Sequence, residues 1–306
     1  MKKMMMACVG LLALTLTAQA QKKSGAIQFE TTIDPAAMMS ANGMQVSDEM
    51  KARMPKSVKS NFELLFTATN ASFMPVEDVE DSNGGGGGGG MNRMMRFAGG
   101  MGGQREYYYS FADQKLVEVF DLMDTTYVIQ SKLTIAPNTD LNMGNNRQGN
   151  NGSSTTTQNG VTTTTTSAVV FLPEPPTMEV VKTDETKKIL NFNCNKIIVK
   201  SIRKAKVLGE DKNIIDETAV WYTNELGFNF SPNPHLWTEG TVLALENKGN
   251  TTIAKSIEYR NVSAKDVTAP KKAIPITLEE IKVKREAMMK RFQGGRQGAP
   301  ARVVIN

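Results

Sequence analysis

Apolar and polar residues alternate one by one in short runs along most of this chain, and that period of two constrains its fold more than any other feature. Ile27, Phe29 and Thr31 alternate with Gln28, Glu30 and Thr32, and Phe62, Leu64 and Phe66 alternate with Glu63, Leu65 and Thr67. A strand sends successive side chains to opposite faces, so each run predicts a strand with one buried face. Ser72, Phe73 and Met74 extend the second run toward Pro75. Residues 107–111 and 115–120 read as a hairpin turning at Asp113-Gln114, with 126–135 as a third adjacent strand. The apolar run 167–172 ends at Pro173, Pro175 and Pro176, which interrupt sheet pairing. Short strands over 178–183 and 187–192 flank an expected Asp184-Glu185 turn. A long strand over 195–206 returns after a 208–213 turn as 214–222, and 241–246 with 251–262 forms a last hairpin around Asn247-Lys248-Gly249-Asn250.

Helical signals occur only near the two ends. Between Pro35 and Ser60, Ser47-Asp48-Glu49 opens a short helix that Pro55 ends. Near the C-terminus Thr277 and Glu280 form a capping box, and Leu278, Ile281, Arg285, Met288, Met289 and Phe292 follow at helical spacing up to Gly294-Gly295. About ten strands joined by short turns predict a mainly β fold: a curved antiparallel sheet or half-barrel with short helices and a C-terminal helix.

Low-complexity tracts limit how much of the chain joins that sheet. Residues 78–103 carry seven consecutive glycines, Gly84 to Gly90, and 138–166 is rich in Asn, Gly and Thr. Such tracts bury little apolar surface, so both are expected to be flexible, disordered inserts in a single β-rich domain over 21–293, with a disordered tail over 294–306. Residues 1–20 read as a secretory signal peptide: Lys2 and Lys3, an apolar run from Met4 to Thr17, then Ala18-Gln19-Ala20 as the cleavage site. The expected location is therefore the periplasm or the outer-membrane or cell surface. No later run reaches the roughly 20 apolar residues that a transmembrane helix needs, so no membrane span is expected after cleavage.

Cleavage would leave Cys194 as the only cysteine, so no internal disulfide is expected and packing must stabilise the fold. The formal charge of +5 falls to +3 without Lys2 and Lys3, too mild a balance to imply nucleic acid.

Residues 183–196, with Cys194 and Lys196 at their end, and Trp221-Tyr222-Thr223-Asn224-Glu225-Leu226 together resemble the GLPGLI family of exported Bacteroidota proteins. In that family a strand with a Cys-x-Lys pattern precedes a Trp-Tyr-Thr strand and the naming motif. Here Phe192 stands at the aromatic position, Asn191 replaces a glycine, and residues 236–243 keep only a leucine, Gly240 and the aliphatic end of the motif. A related Bacteroidota domain of unknown function shares the same strand pattern. Either resemblance implies an envelope protein without an assigned activity, and transfers no catalytic, cofactor-binding or metal-binding residues.

Chemistry-bearing residues are sparse. His235 is the only histidine, in a Pro- and Asn-rich loop, and reads as a surface residue without a role. Adjacent acids, such as Asp184-Glu185, Glu210-Asp211 and Asp216-Glu217, point to opposite faces of a strand and suit solvated turns better than acid/base work. The glycine run lacks the Lys-Ser or Lys-Thr of a phosphate loop. Met91, Met94, Met95 and Met101 offer soft thioethers, so a copper-binding Met loop is the alternative expectation, with Arg93 and Arg96 as unfavourable neighbours. The C-terminal helix, carrying Lys282, Lys284, Arg285, Lys290 and Arg291, is expected to pack its apolar stripe on the sheet. The favoured expectation is a non-enzymatic binding or interaction module, without a cofactor, for an apolar ligand or an envelope partner protein.

Overall fold

A computed structural model describes residues 24–41, 46–76, 105–122, 124–137, 153–158, 161–166, 169–284 and 286–287. The expected leader, the 78–103 insert and the 294–306 tail lie outside the described residues, as do 138–152 of the second insert. The elements begin β1 (Gly25–Ile33), α1 (Pro35–Ala41), α2 (Asp48–Arg53), β2 (Val58–Phe66), β3 (Asn70–Val76), β4 (Glu106–Ser110), β5 (Lys115–Leu122) and β6 (Thr125–Ser131). They continue with β7 (Ser153–Gln158), β8 (Val161–Thr166), β9 (Val169–Phe171), β10 (Thr177–Ile189), β11 (Phe192–Val207) and β12 (Glu210–Thr223). β13 (Thr241–Asn247), β14 (Asn250–Tyr259), β15 (Ile274–Pro275) and a helix α3 over 278–287, whose residue 285 is not described, complete the chain.

Thirteen strands form one open sheet, in the order β10-β11-β12-β13-β14-β1-β2-β3-β4-β5-β6-β15, with β9 on β11. Its pairings are antiparallel except β6 with β15. The N-terminal strand lies in the middle, between β14 and β2.

The alternation explains the packing. Register sets Ile27 opposite Leu64 and Phe29 opposite Phe62, and Phe29, Phe62 and Phe73 meet ring to ring at 5.3–5.7 Å. On the other face of the same strands Glu30 accepts from Lys59 and Lys255, both at 3.0 Å, and Glu63 from Arg260 at 2.9 Å. Adjacent residues thus belong to an aromatic core and a charged surface.

Several strand limits differ from those expected. Residues 72–74 do not prolong β2; Thr67 turns the chain, accepting from Asn70 N at 3.1 Å, and β3 returns antiparallel. Pro75 is tolerated because β4 pairs with β3 only over Asn70–Phe73, so its missing N–H is not needed there. Asp184-Glu185 is not a turn: β10 runs unbroken through it, with a register shift between Lys182 and Thr186. The reversal falls at Leu190 and Asn191, whose φ values of 51° and 70° make the left-handed two-residue connection that a hairpin's twist favours. β7 and β8 pair as a separate ribbon within the Thr-rich insert, where no element was expected; β-branched Thr suits extended backbone.

The helices follow their caps. Ser47 Oγ accepts from Met50 N at 3.2 Å at the start of α2. Thr277 N donates to Glu280 Oε2 at 2.8 Å while Glu280 N donates to Thr277 Oγ1 at 3.3 Å, a reciprocal box at the start of α3. Ile281 and Leu278 pack with Phe120, Leu122 and Ile129, so the start of the expected stripe lies on the sheet, while Arg285, Met288, Met289 and Phe292 lie outside the described residues. No described helix is long and apolar enough to cross a membrane.

Candidate functional site: a strap across the concave face

Between β12 and β13 the chain leaves the sheet and residues 224–240 cross its apolar face as a strap. Phe228 and Phe230 are spaced by two, as in a strand, and both turn inward. Phe230 is fully buried, with its ring 5.7 Å from Phe29, 5.3 Å from Phe73 and 5.3 Å from Tyr109. Phe228 lies 5.0 Å from Phe66 and stacks on Phe111 at 5.1 Å. The aromatic faces of β1 to β4 are therefore covered by the chain's own loop.

Main-chain hydrogen bonds hold that loop at both edges. Phe230 N donates to Gly240 O (3.1 Å) and Val242 N to Phe230 O (2.8 Å). Beyond the strap's midpoint, Thr134 N donates to Pro234 O (2.9 Å), Trp237 N to Thr134 O (3.1 Å) and Ala136 N to His235 O (3.2 Å). The segment that follows β6 thereby joins the strap, and Ile135, Leu236 and Trp237 pack on the Ile197, Val199, Val220 and Val242 cluster. The strap ties one end of the open sheet to the other. Tyr109 Oη donates to Ser231 O at 3.0 Å, and complete burial raises its phenol well above the ordinary value.

Gly240 is required where the strap rejoins β13. Its φ is +63°, and a Cβ there would stand 2.5 Å from Asn224 Oδ1 and 2.6 Å from Thr223 O. Its carbonyl also accepts from Trp237 Nε1 at 2.9 Å.

A cavity of about 320 Å³ opens beside the strap, against the β2–β3 and β4–β5 turns. Tyr109, Phe111, Leu133, Phe228 and Trp237 supply its apolar wall, and Lys115 and Lys132 stand among its lining residues. That volume is at the lower end of small-molecule sites, about 300–1,000 Å³.

A second group gathers the residues that carry the family resemblance. Register pairs Lys196 with Trp221 and Lys187 with Cys194. Lys187 Nζ sits 4.1 Å from the Trp221 ring centroid and Lys196 Nζ 5.5 Å. Glu246 accepts from Lys187 Nζ at 2.5 Å and from Trp221 Nε1 at 3.1 Å, and Glu185 accepts from Lys196 at 2.9 Å. Burial pulls the Glu246 carboxyl upward, but those hydrogen bonds outweigh it and hold it below the usual value. Cys194 is fully buried, and that burial pushes its thiol up to about 11. Every charge in this group has a partner, so it serves as a structural clamp between strands.

The remaining sequence candidates are placed as follows. His235 is half-buried, not a free surface residue, because its carbonyl anchors the strap; its buried Nδ1 has no hydrogen-bond partner. Glu185, Glu210 and Glu217 bind Lys196, Lys212 and Lys200 instead of one another. Met91, Met94, Met95 and Met101 lie outside the described residues, and among the described residues no three His, Cys, Asp or Glu side chains gather as metal ligands.

Sequence reasoning missed the strap, although the alternation of Phe228 and Phe230 outside any strand was a visible sign. It also missed Glu118, which shares the inward spacing of Leu116 and Phe120 and is only 1% exposed. Arg105 answers it at 2.7 Å, and Ser131 Oγ donates to it at 3.2 Å.

No family model matches the chain, and no curated protein matches it. Among solved structures it is similar to PNGF-II in a C2 crystal form, with a TM-score of 0.43 and 10% identity over 86% of this chain and 32% of that one. The P21 form gives the same TM-score and identity, with 33% of its chain covered. The chain thus spans about a third of the length of these solved chains.

Proposed function

We propose that this chain is an exported envelope protein of the GLPGLI kind, acting as a non-enzymatic binding module that takes an apolar ligand, or an apolar group of a partner, beside its strap. The observation that carries this reading is the aromatic cavity of about 320 Å³ between the strap and the β4–β5 turn. A preformed concave site with an apolar wall is where small ligands bind, and here Thr69, Ser110, Gln114, Asn229 and two lysines supply its polar lining. The leader-like residues 1–20 support export, and the order of Cys194, Lys196 and Trp221 along the sequence supports the family resemblance.

The test is binding of the neutral dye Nile red to the mature chain beginning at Gln21, with mass spectrometry of an organic extract of the purified protein. Saturable binding at one site is expected, and Ala112→Trp, which fills the cavity from an exposed position, should abolish it while leaving the unfolding temperature unchanged. Dye binding that never saturates, or that Ala112→Trp leaves intact, overturns the binding reading. An uncleaved chain in the cytosol overturns the export reading.

A further inference from the structure

The cavity is apolar on its wall and one-signed at its margin. No Asp or Glu lines it, whereas Lys115 and Lys132 do, and both are exposed. The β5–β6 register pairs Leu116 with Ser131, so one step further along the two strands Lys115 and Lys132 follow each other's course. Like charges at neighbouring positions repel. Among the described residues neither lysine has a carboxylate within ion-pair distance. Other strand lysines that face a glutamate do hold one: Lys59, Lys187, Lys196, Lys200 and Lys255 each form such a pair. Both ammonium groups at the margin of the aromatic cavity are thus without a carboxylate.

Resting on the binding reading above, we infer that the site takes a small amphiphile with one carboxylate. Its chain lies along Tyr109, Phe111, Leu133, Phe228 and Trp237, and its carboxylate faces Lys115 and Lys132. Two charge-assisted hydrogen bonds at the mouth fix the orientation, while the wall supplies the apolar contact. Size selects the class: at about 30 Å³ for each water-sized group, the cavity holds on the order of ten heavy atoms. That is the size of a medium-length fatty acid.

The experiment is displacement of Nile red from the mature chain by octanoate and, separately, by 1-octanol. The two probes share their chain length, and octanol is the more apolar, so a preference for octanoate cannot come from apolar burial. Octanoate is expected to displace the dye at about tenfold lower concentration than octanol, each exposed lysine supplying roughly a threefold factor. Lys115→Gln and Lys132→Gln should each remove about threefold, and the double variant should make the probes equal. Added salt should shrink the difference, and Lys212→Gln, in β12 and outside the cavity lining, should leave it alone. Equal displacement by both probes in the unmodified protein, or a preference that survives the double variant, overturns the carboxylate inference while the binding reading stands. Absence of saturable dye binding removes both.

Discussion

The sheet has two halves built on opposite terms. From β1 to β4 the strands bury one face under the strap, and the interior is rings: Phe29, Phe73 and Tyr109 all meet Phe230. The β11–β12 arm runs past β13, which reaches β12 only over Thr218–Thr223, and among the described residues Glu210 to Glu217 pair with no strand on that side. Here Ile215 is 54% exposed, and the side chains pair as ions: Lys200 with Glu217 and Lys212 with Glu210. The same backbone ladder continues through both, so a ladder does not by itself make a core. What separates the halves is whether another layer of chain covers the sheet.

That contrast breaks most sharply at Phe230 and Ile215. Phe230→Ala should destabilise by about 3–5 kcal/mol in denaturant unfolding, because three rings lose a partner and a cavity remains. Ile215→Ala should change stability by less than about 0.5 kcal/mol. Equal losses would mean that the arm is packed against a layer of its own.

Ion pairs give a second comparison. Glu118→Ala leaves Arg105 buried and unpaired, a loss of about 3–5 kcal/mol, whereas Glu217→Ala removes an exposed pair worth about 0–1 kcal/mol. Urea midpoints of the two variants measure the gap directly.

Two turn glycines sharpen it further. Gly240 and Gly209 both have positive φ, but only at Gly240 would a methyl group meet backbone; around Gly209 there is nothing within 4 Å. Gly240→Ala should therefore cost about 1–3 kcal/mol and Gly209→Ala about 1 kcal/mol or less. Matching unfolding temperatures for the two would show that the strap can shift to accept a side chain.

The smallest effect concerns pH. Glu246 has its carboxyl held below the usual value of 4.5 by Lys187 and Trp221, against the upward pull of burial. Its contribution is complete above 4.5 and is lost as pH falls through the lower, folded value. Glu246→Gln should flatten the fall of unfolding temperature below pH 4.5, and an unchanged slope would assign acid sensitivity to other carboxylates.

Strand existence was legible wherever alternation was strict. Ile27 to Thr32 became the centre of one nine-residue strand and Phe62 to Phe66 the second half of another, because period two maps directly onto a sheet with one dry face. Turns were legible only where their chemistry was ordinary. Asn247 to Asn250 reverses the chain as expected, while Leu190-Asn191 does so without a glycine and Asp184-Glu185 stays extended. Both exceptions depend on register against β11, which no local window contains. The candidate site was the least legible part. Its wall comes from β4, β5, the segment after β6 and the strap, so the residues that share it are brought together by topology, not by spacing.

The position of β1 has a consequence for how this molecule acquires its shape. A chain made from its N-terminus presents β1 first, yet one of that strand's two partners, β14, ends at Tyr259, and Gly25 must wait for it. Thr31 and Thr252, which share a hydrogen bond across the seam, are separated by 221 positions. Closing so long a loop is entropically expensive and slow, so hairpins such as β4–β5 and β13–β14 should form well before the two halves are joined. Until then one edge of β1 stays open, and the chain must be synthesised through β14 before the sheet can become continuous.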